Sequence, residues 1–226
     1  MKLKVIINLC IVVMCFTLFS CSQDEEVYSC DKEVNVWVKE NLSDIQQMSR
    51  EDWLRLDERV NRAAYVAFTS EQKQEFWIQK FQEVLSLDWN ELEKSHIEIL
   101  SQKILDNPNW FLDGFSQNEA MYEEFEIFTF KWMESAEENL GWDKNLIGAI
   151  VASGNKLLDT KGKIQVNIDA SVRLKNGAEK SCDCNVGINI CFPKGCLDSQ
   201  YSNCDKKIIG CGFALLGPCN GLCTSI

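Results

Sequence analysis

The chain has 226 residues and a formal net charge of −11, with 23 Lys plus Arg set against 34 Asp plus Glu. That balance excludes recognition of nucleic acid through its phosphates, which needs clustered Lys and Arg to release counterions. With 46% hydrophobic residues the length suffices for one modest core plus a small module, and 12 cysteines beside one histidine make thiol pairing the first question.

Lys2 and Lys4 form a short positive start, Val5 to Phe19 is an almost unbroken apolar stretch, and Leu18-Phe19-Ser20-Cys21 closes it. The apolar part is too short for a comfortable membrane span and reads as a signal peptide over residues 1–20. Its Leu-x-Ser-Cys end resembles the lipobox of bacterial lipoproteins, which implies that Cys21 is lipidated and becomes the mature N-terminus. Ordinary cleavage would instead leave Cys21 as a spare thiol. Cys10 and Cys15 depart with the signal peptide either way. Ser22-Gln23-Asp24-Glu25-Glu26 is similar to the acidic stretch that sends many Bacteroidetes lipoproteins to the outside of the outer membrane. A solvated acidic tether over 21–32 is the other reading. The expected address is thus an outer membrane lipoprotein exposed on the cell surface, reaching the membrane through its lipid.

From residue 33 to 142 the apolar positions recur three and four apart, which predicts an all-α helical domain. Val34, Trp37, Val38, Leu42, Ile45 and Met48 make one stripe. Ser49-x-x-Asp52 reads as a capping box opening a helix through Trp53, Leu56, Val60, Ala63 and Ala67. Thr69-x-x-Gln72 opens the next, with Trp77, Phe81, Val84 and Leu85. Asp88 with Glu91 is expected to start a fourth through Leu92, His96, Ile99, Leu100 and Ile104, ended by Asn107-Pro108. Ser116-x-x-Glu119 is expected to start a fifth through Met121, Phe125, Phe128 and Trp132, finishing near Gly141. Five amphipathic helices with short links make a small bundle.

Trp37, Trp53, Trp77, Trp110 and Trp132 suggest a carbohydrate-stacking surface, yet at helical spacing they read first as core. His96 lies on the apolar stripe of its helix and is expected to pack there. The many carboxylates form a solvated face, and a two-carboxylate hydrolase has nothing specific behind it. No credible active site assembles along the chain, so no catalytic residue and no cofactor are expected.

Past Gly141 the character changes. Leu146 to Val151 suits a last short helix or a buried strand, Gly154-Asn155 is a break, and 143–160 reads as a connector. Ile164, Val166, Ile168, Ala170, Val172 and Leu174 then alternate with polar residues, the clearest strand signal in the chain. Asn176-Gly177 follows as a hairpin turn, because both residues accept positive φ. A return strand over Glu179 to Cys184 would join the tail to that strand, which sets a module at 161–226. The fold class expected is α+β: an N-terminal helical bundle followed by a small disulfide-rich module containing a β-hairpin.

Eight cysteines fill the tail: Cys182, Cys184, Cys191, Cys196, Cys204, Cys211, Cys219 and Cys223. In an exported chain they read as four disulfides, because the tail has too few large apolar residues to hold shape without staples. Eight thiolates could instead hold two zinc ions, but paired C-x2-C knuckles and histidine are missing there and the exterior is oxidising, so no metal is expected. A redox C-x-x-C is missing too. The eight allow about a hundred pairings, and Cys30 is left over as a free thiol, an interchain partner or a competitor for one tail cysteine. Lys194, Lys206 and Lys207 balance Asp183, Asp198 and Asp205, so the tail lacks the cationic face of a simple membrane-lytic peptide.

The order from Cys182-Asp183-Cys184 through Gly210-Cys211-Gly212 to Cys219-Asn220-Gly221 resembles the myxobacterial bacteriocin fulvocin C. The whole layout is similar to the fulvocin C-related proteins of Bacteroidetes, with Thr69-Ser70-Glu71-Gln72-Lys73-x-x-x-Trp77 standing in place of that family's Thr-x-Glu-x-Lys and Trp signature. The resemblance implies a bacteriocin-like surface lipoprotein whose stapled C-terminal effector acts on an envelope component of a target cell. The alternative is a non-toxic surface lipoprotein whose tail is a binding or structural module.

Overall fold

The computed structural model describes residues 26–29, 31–165, 195–202 and 207–224. Helices dominate it, and the cysteine-rich end contributes short strands and a disulfide between Cys211 and Cys219. In the body run α1 (Lys32–Glu40), α2 (Leu42–Ile45), α3 (Arg50–Trp53), α4 (Glu58–Val66), α5 (Ser70–Leu85), α6 (Glu91–Asp106), α7 (Glu119–Leu140) and α8 (Lys144–Val151).

Most of these helices begin where a short polar side chain can accept the first backbone N–H groups, which otherwise lack partners. Asp31 caps α1, Asn118 caps α7 and Asp143 caps α8. The expected boxes at Ser49 with Asp52 and Thr69 with Gln72 both close. The helix opened by Ser49 does not run on as expected, however. It stops at Leu54, and a second helix starts after Asp57, whose carbonyl accepts the Val60 and Asn61 amides. The Trp53 indole donates to the Asn61 carbonyl, folding α4 back over α3.

Two other starts are displaced. Asn90 with Glu93, rather than Asp88 with Glu91, forms the box of α6. Trp89 explains the choice: its indole reaches back 2.7 Å to the Val84 carbonyl, so the chain cannot turn helical until Asn90. The stripe of α6 is shifted as well, since Leu92 and Ile99 are 73% and 55% exposed while Ile97, Leu100 and Ile104 are buried. In α7 the cap is Asn118, because Ser116 is taken up in a 3-10 turn, Phe115–Gln117, that buries Phe115. Gly141 ends α7 at φ 67°, a left-handed position that suits glycine.

α5 and α6 pair along their lengths, and α7 and α8 close the core. Leu146 to Val151 is helix, not strand, and every residue of it is buried. With Leu157, residues of the 143–160 stretch are therefore core. Ile164 makes a single antiparallel bridge to Leu157. The remainder of the alternating stretch, the Asn176-Gly177 turn and the return strand lie outside the described residues.

In the tail, β1 (Gly195–Asp198), α9 (Ser199–Ser202), β2 (Lys207–Cys211), β3 (Gly217–Cys219) and β4 (Gly221–Thr224) follow. β1 pairs antiparallel with β4, placing Cys196 opposite Cys223 in the backbone register. β2 pairs with β3 across an irregularity, with Cys211 opposite Gly217. Between β2 and β3 sits the loop that meets the helical body.

Candidate functional site

That loop is Gly212 to Leu216, closed at its base by the Cys211–Cys219 bridge with Cα atoms 5.1 Å apart. Phe213-Ala214-Leu215-Leu216 is the longest apolar run among the described tail residues, and it points inward: Phe213 and Leu216 are each 1% exposed and Ala214 0%. Turning so tightly takes Gly212 to φ 71°, ψ −158°, a region open only to glycine, and holds Ala214 and Leu215 at φ 49° and 54°. Left-handed backbone at non-glycine residues costs of order 1–3 kcal/mol each, and it persists only where the surroundings impose it.

Three helices impose it. Phe213 stands edge-to-face on Phe125 and on Trp132 of α7, with ring centroids 5.9 and 6.0 Å away. The Tyr65 hydroxyl of α4 donates to the Ala214 carbonyl at 3.0 Å, and the Trp77 indole of α5 donates to that hydroxyl at 2.9 Å. Tyr65 and Trp77 are fully buried. Burial pushes the Tyr65 phenol far above its ordinary range, opposed by the Trp77 bond, so the hydroxyl stays protonated and keeps its donor. Gly210 passes close to α4, where a Cβ would sit 3.4 Å from Val66 Cγ2. Burying Phe213 and Leu216 contributes about 1.5–3 kcal/mol each, and each edge-to-face ring pair adds about 0.5–1.5 kcal/mol.

A second, charged cluster lies on α5. Lys80 is 0% exposed and its amine donates to the Asn155 carbonyl. Burial first and the Arg50 charge second pull its pKa down to about 7, against the opposing pull of Glu83. Arg50 donates from Nη1 to Glu83 Oε2 and from Nη2 to the Gly154 carbonyl, both at 2.8 Å. Its guanidinium rests 5.3 Å from the centre of the Phe76 ring, and burial lowers its pKa. Gly154 is there because nothing larger fits: a Cβ would come within 2.6 Å of Trp53 Cη2 and 2.7 Å of Phe76 Cζ. The cluster clamps the turn after α8. Beside it a cleft of about 260 Å³ is lined by Met48, Arg50, Phe68, Glu71, Glu75 and Phe76, among others.

The residues singled out by sequence separate cleanly. Trp53, Trp77, Trp110 and Trp132 are buried and Trp37 is partly buried, so they build core rather than a stacking surface. His96 is half-buried, its ring stacked 4.5 Å over Trp132 and its Nε2 3.0 Å from the Trp132 carbonyl. Burial lowers its pKa and that carbonyl raises it. Lys73 of the Thr69-to-Trp77 signature is only 4% exposed, and burial depresses its amine while Asp113 opposes the shift. Among the described residues no group of three or more His, Cys, Asp and Glu is placed to hold a metal. Of the cysteines, Cys211 and Cys219 are joined and Cys196 faces Cys223 in register. Cys21, Cys30, Cys182, Cys184, Cys191 and Cys204 lie outside the described residues.

Tyr65, Phe213 and Lys80 escape sequence reasoning. The apolar run Phe213 to Leu216, set inside a cysteine-dense stretch, is the signal that a buried partner awaits it. Nothing along the chain names Tyr65 as that partner, 149 positions earlier. No protein-family model, no curated protein and no solved structure matches the chain.

Proposed function

We propose that this chain is a non-enzymatic lipoprotein of the outer membrane surface, anchored through Cys21, whose cysteine-rich tail is an integral module held by the helical body. One observation carries the reading: the Phe213–Leu216 loop is part of the same core as α4, α5 and α7. A segment built for release would leave behind a hole lined by Tyr65, Phe125 and Trp132, and would carry an apolar loop into water. Held in place, the tail presents the rest of its stapled surface to a binding partner outside the cell. The hairpin around Asn176-Gly177 and the remaining disulfides belong to this proposal, as does the absence of an active site.

The second reading is the bacteriocin-like effector, with the helical body as its carrier. The fulvocin C-like cysteine order favours it, and so does the burial of Phe213 and Leu216, which would mask an apolar effector until it reached a target envelope. Two measurements separate the readings. Protease shaving of whole cells is expected to remove the protein, and full protection would contradict surface exposure. The oxidised full-length protein is expected to inhibit no related bacterium, while deleting residues 207–226 abolishes a surface-binding phenotype. Killing across a panel of neighbours would replace the first reading with the second.

A further inference from the structure

We infer that the helical body is a receptor for the closed Cys211–Cys219 loop, able to keep the tail bound after the chain between them is cut. This deepens the proposed function and rests on its reading of the tail as a held module.

The groups of the receptor are scattered in sequence but converge in space. Tyr65 and Val66 come from α4, Trp77 acts through Tyr65 from α5, and Phe125 and Trp132 come from α7. None of them, and none of the loop residues they touch, lies between 166 and 194. A cut in that stretch therefore removes no contact of the dock. The loop also keeps its own form, because the Cys211–Cys219 bridge closes it and β2 pairs with β3 behind it.

Loop and receptor match in chemistry. The contact is apolar at its centre, with Phe213 between two rings and an oriented hydrogen bond from Tyr65 to the Ala214 carbonyl, while the Arg62 guanidinium of α4 donates to Cys211 Sγ at 3.7 Å beside the bridge. A contact with such an apolar centre depends less on salt and on pH than one held by surface ion pairs. Loop and receptor also protect each other. Cys211 is 3% and Cys219 0% exposed, so the bridge is shielded from a thiol in solution while the loop is docked. The intact bridge in turn preserves the shape that docks. One backbone cut thus leaves the tail where it was, and liberation takes a second event that pulls Phe213 out.

The test uses the full chain with a protease recognition sequence between Asn176 and Lys180, and with Cys30→Ser so that no thiol of the body can bridge to the tail. The native, oxidised protein is cut and run on size exclusion. The two fragments are expected to elute together at the mass of the uncut chain and to separate in denaturant. A tail fragment eluting alone from native buffer would overturn the inference. In Phe213→Asp the same cut is expected to free the tail, and co-elution there would overturn the role of the loop. Should that variant fail to fold, Tyr65→Phe serves: the nicked pair is expected to dissociate about fivefold faster, the size of one ordinary hydrogen bond, and an unchanged rate contradicts the assignment. If the fragments co-elute while the full-length protein kills neighbouring cells, the functional reading fails and the receptor stands.

Discussion

The helical body holds two returning segments of the chain by opposite means. On one side Tyr65 of α4, itself bonded by Trp77 of α5, and the rings of α7 receive the tail loop through a contact with an apolar centre. On the other, Lys80, with Arg50 and Glu83 beside it, grips the carbonyls of Gly154 and Asn155 through buried charge. The first gains its stability from area removed from water. The second sets favourable charge-assisted bonds against the cost of taking ions out of water, and such clusters are weak sources of net stability but strong sources of sensitivity. The body thus carries one attachment that depends little on solution conditions and one that reports them.

The largest effect is expected at the apolar side. Phe213→Ala empties the space between Phe125 and Trp132 and should cost about 3–5 kcal/mol in denaturant unfolding. A loss under about 1 kcal/mol would mean that the loop is not seated there. At the charged side, Gly154→Ala drives a methyl into Trp53 and Phe76 and should cost about 1–3 kcal/mol, again by denaturant titration.

Lys80 separates the two sides by pH. Its folded pKa of about 7 lies below its ordinary value of 10.5, so between these limits the unfolded chain binds the extra proton. Stability should therefore rise as pH rises from about 7 to 10.5, by up to about 1.4 kcal/mol per pH unit, and reach its lowest level below 7. Lys80→Met should flatten that slope, whereas variants of the dock should leave it unchanged. An equal slope in wild type and Lys80→Met would remove the amine from the account. Tyr65→Phe should cost about 1–2 kcal/mol, because both the Ala214 carbonyl and the Trp77 indole lose their partner. Smallest of all, Arg55→Ala breaks exposed pairs with Glu51 and Asp52 and should change stability by less than about 0.5 kcal/mol.

The same contrast explains which features could be read from the sequence. Local rules worked where the determinant is local: the boxes at Ser49 and Thr69, the glycine that ends α7, and the tryptophans as core. They failed where a distant partner decides. Asp88-x-x-Glu91 and Asn90-x-x-Glu93 are equivalent as patterns, and only Trp89 reaching back to Val84 selects the second. Lys80 looks like one more residue of a polar face, and its burial depends on the turn 75 positions later that brings Asn155 to it. Tyr65 stands outside the stripe of Val60, Ala63 and Ala67 and carries no signal of its own until Ala214 accepts its hydroxyl. The tail, with its even count of cysteines, reads as a separate module, yet its apolar loop belongs to the core of the helical body.

Hydrogen exchange on the oxidised full-length protein tests that last point most directly. The amides of Leu215 and Leu216, bonded to the carbonyls of Gly212 and Phe213 in the interior, should exchange as slowly as those in the middle of α5. Exchange as fast as an exposed loop, while α5 stays protected, would contradict a tail held in the core of the body.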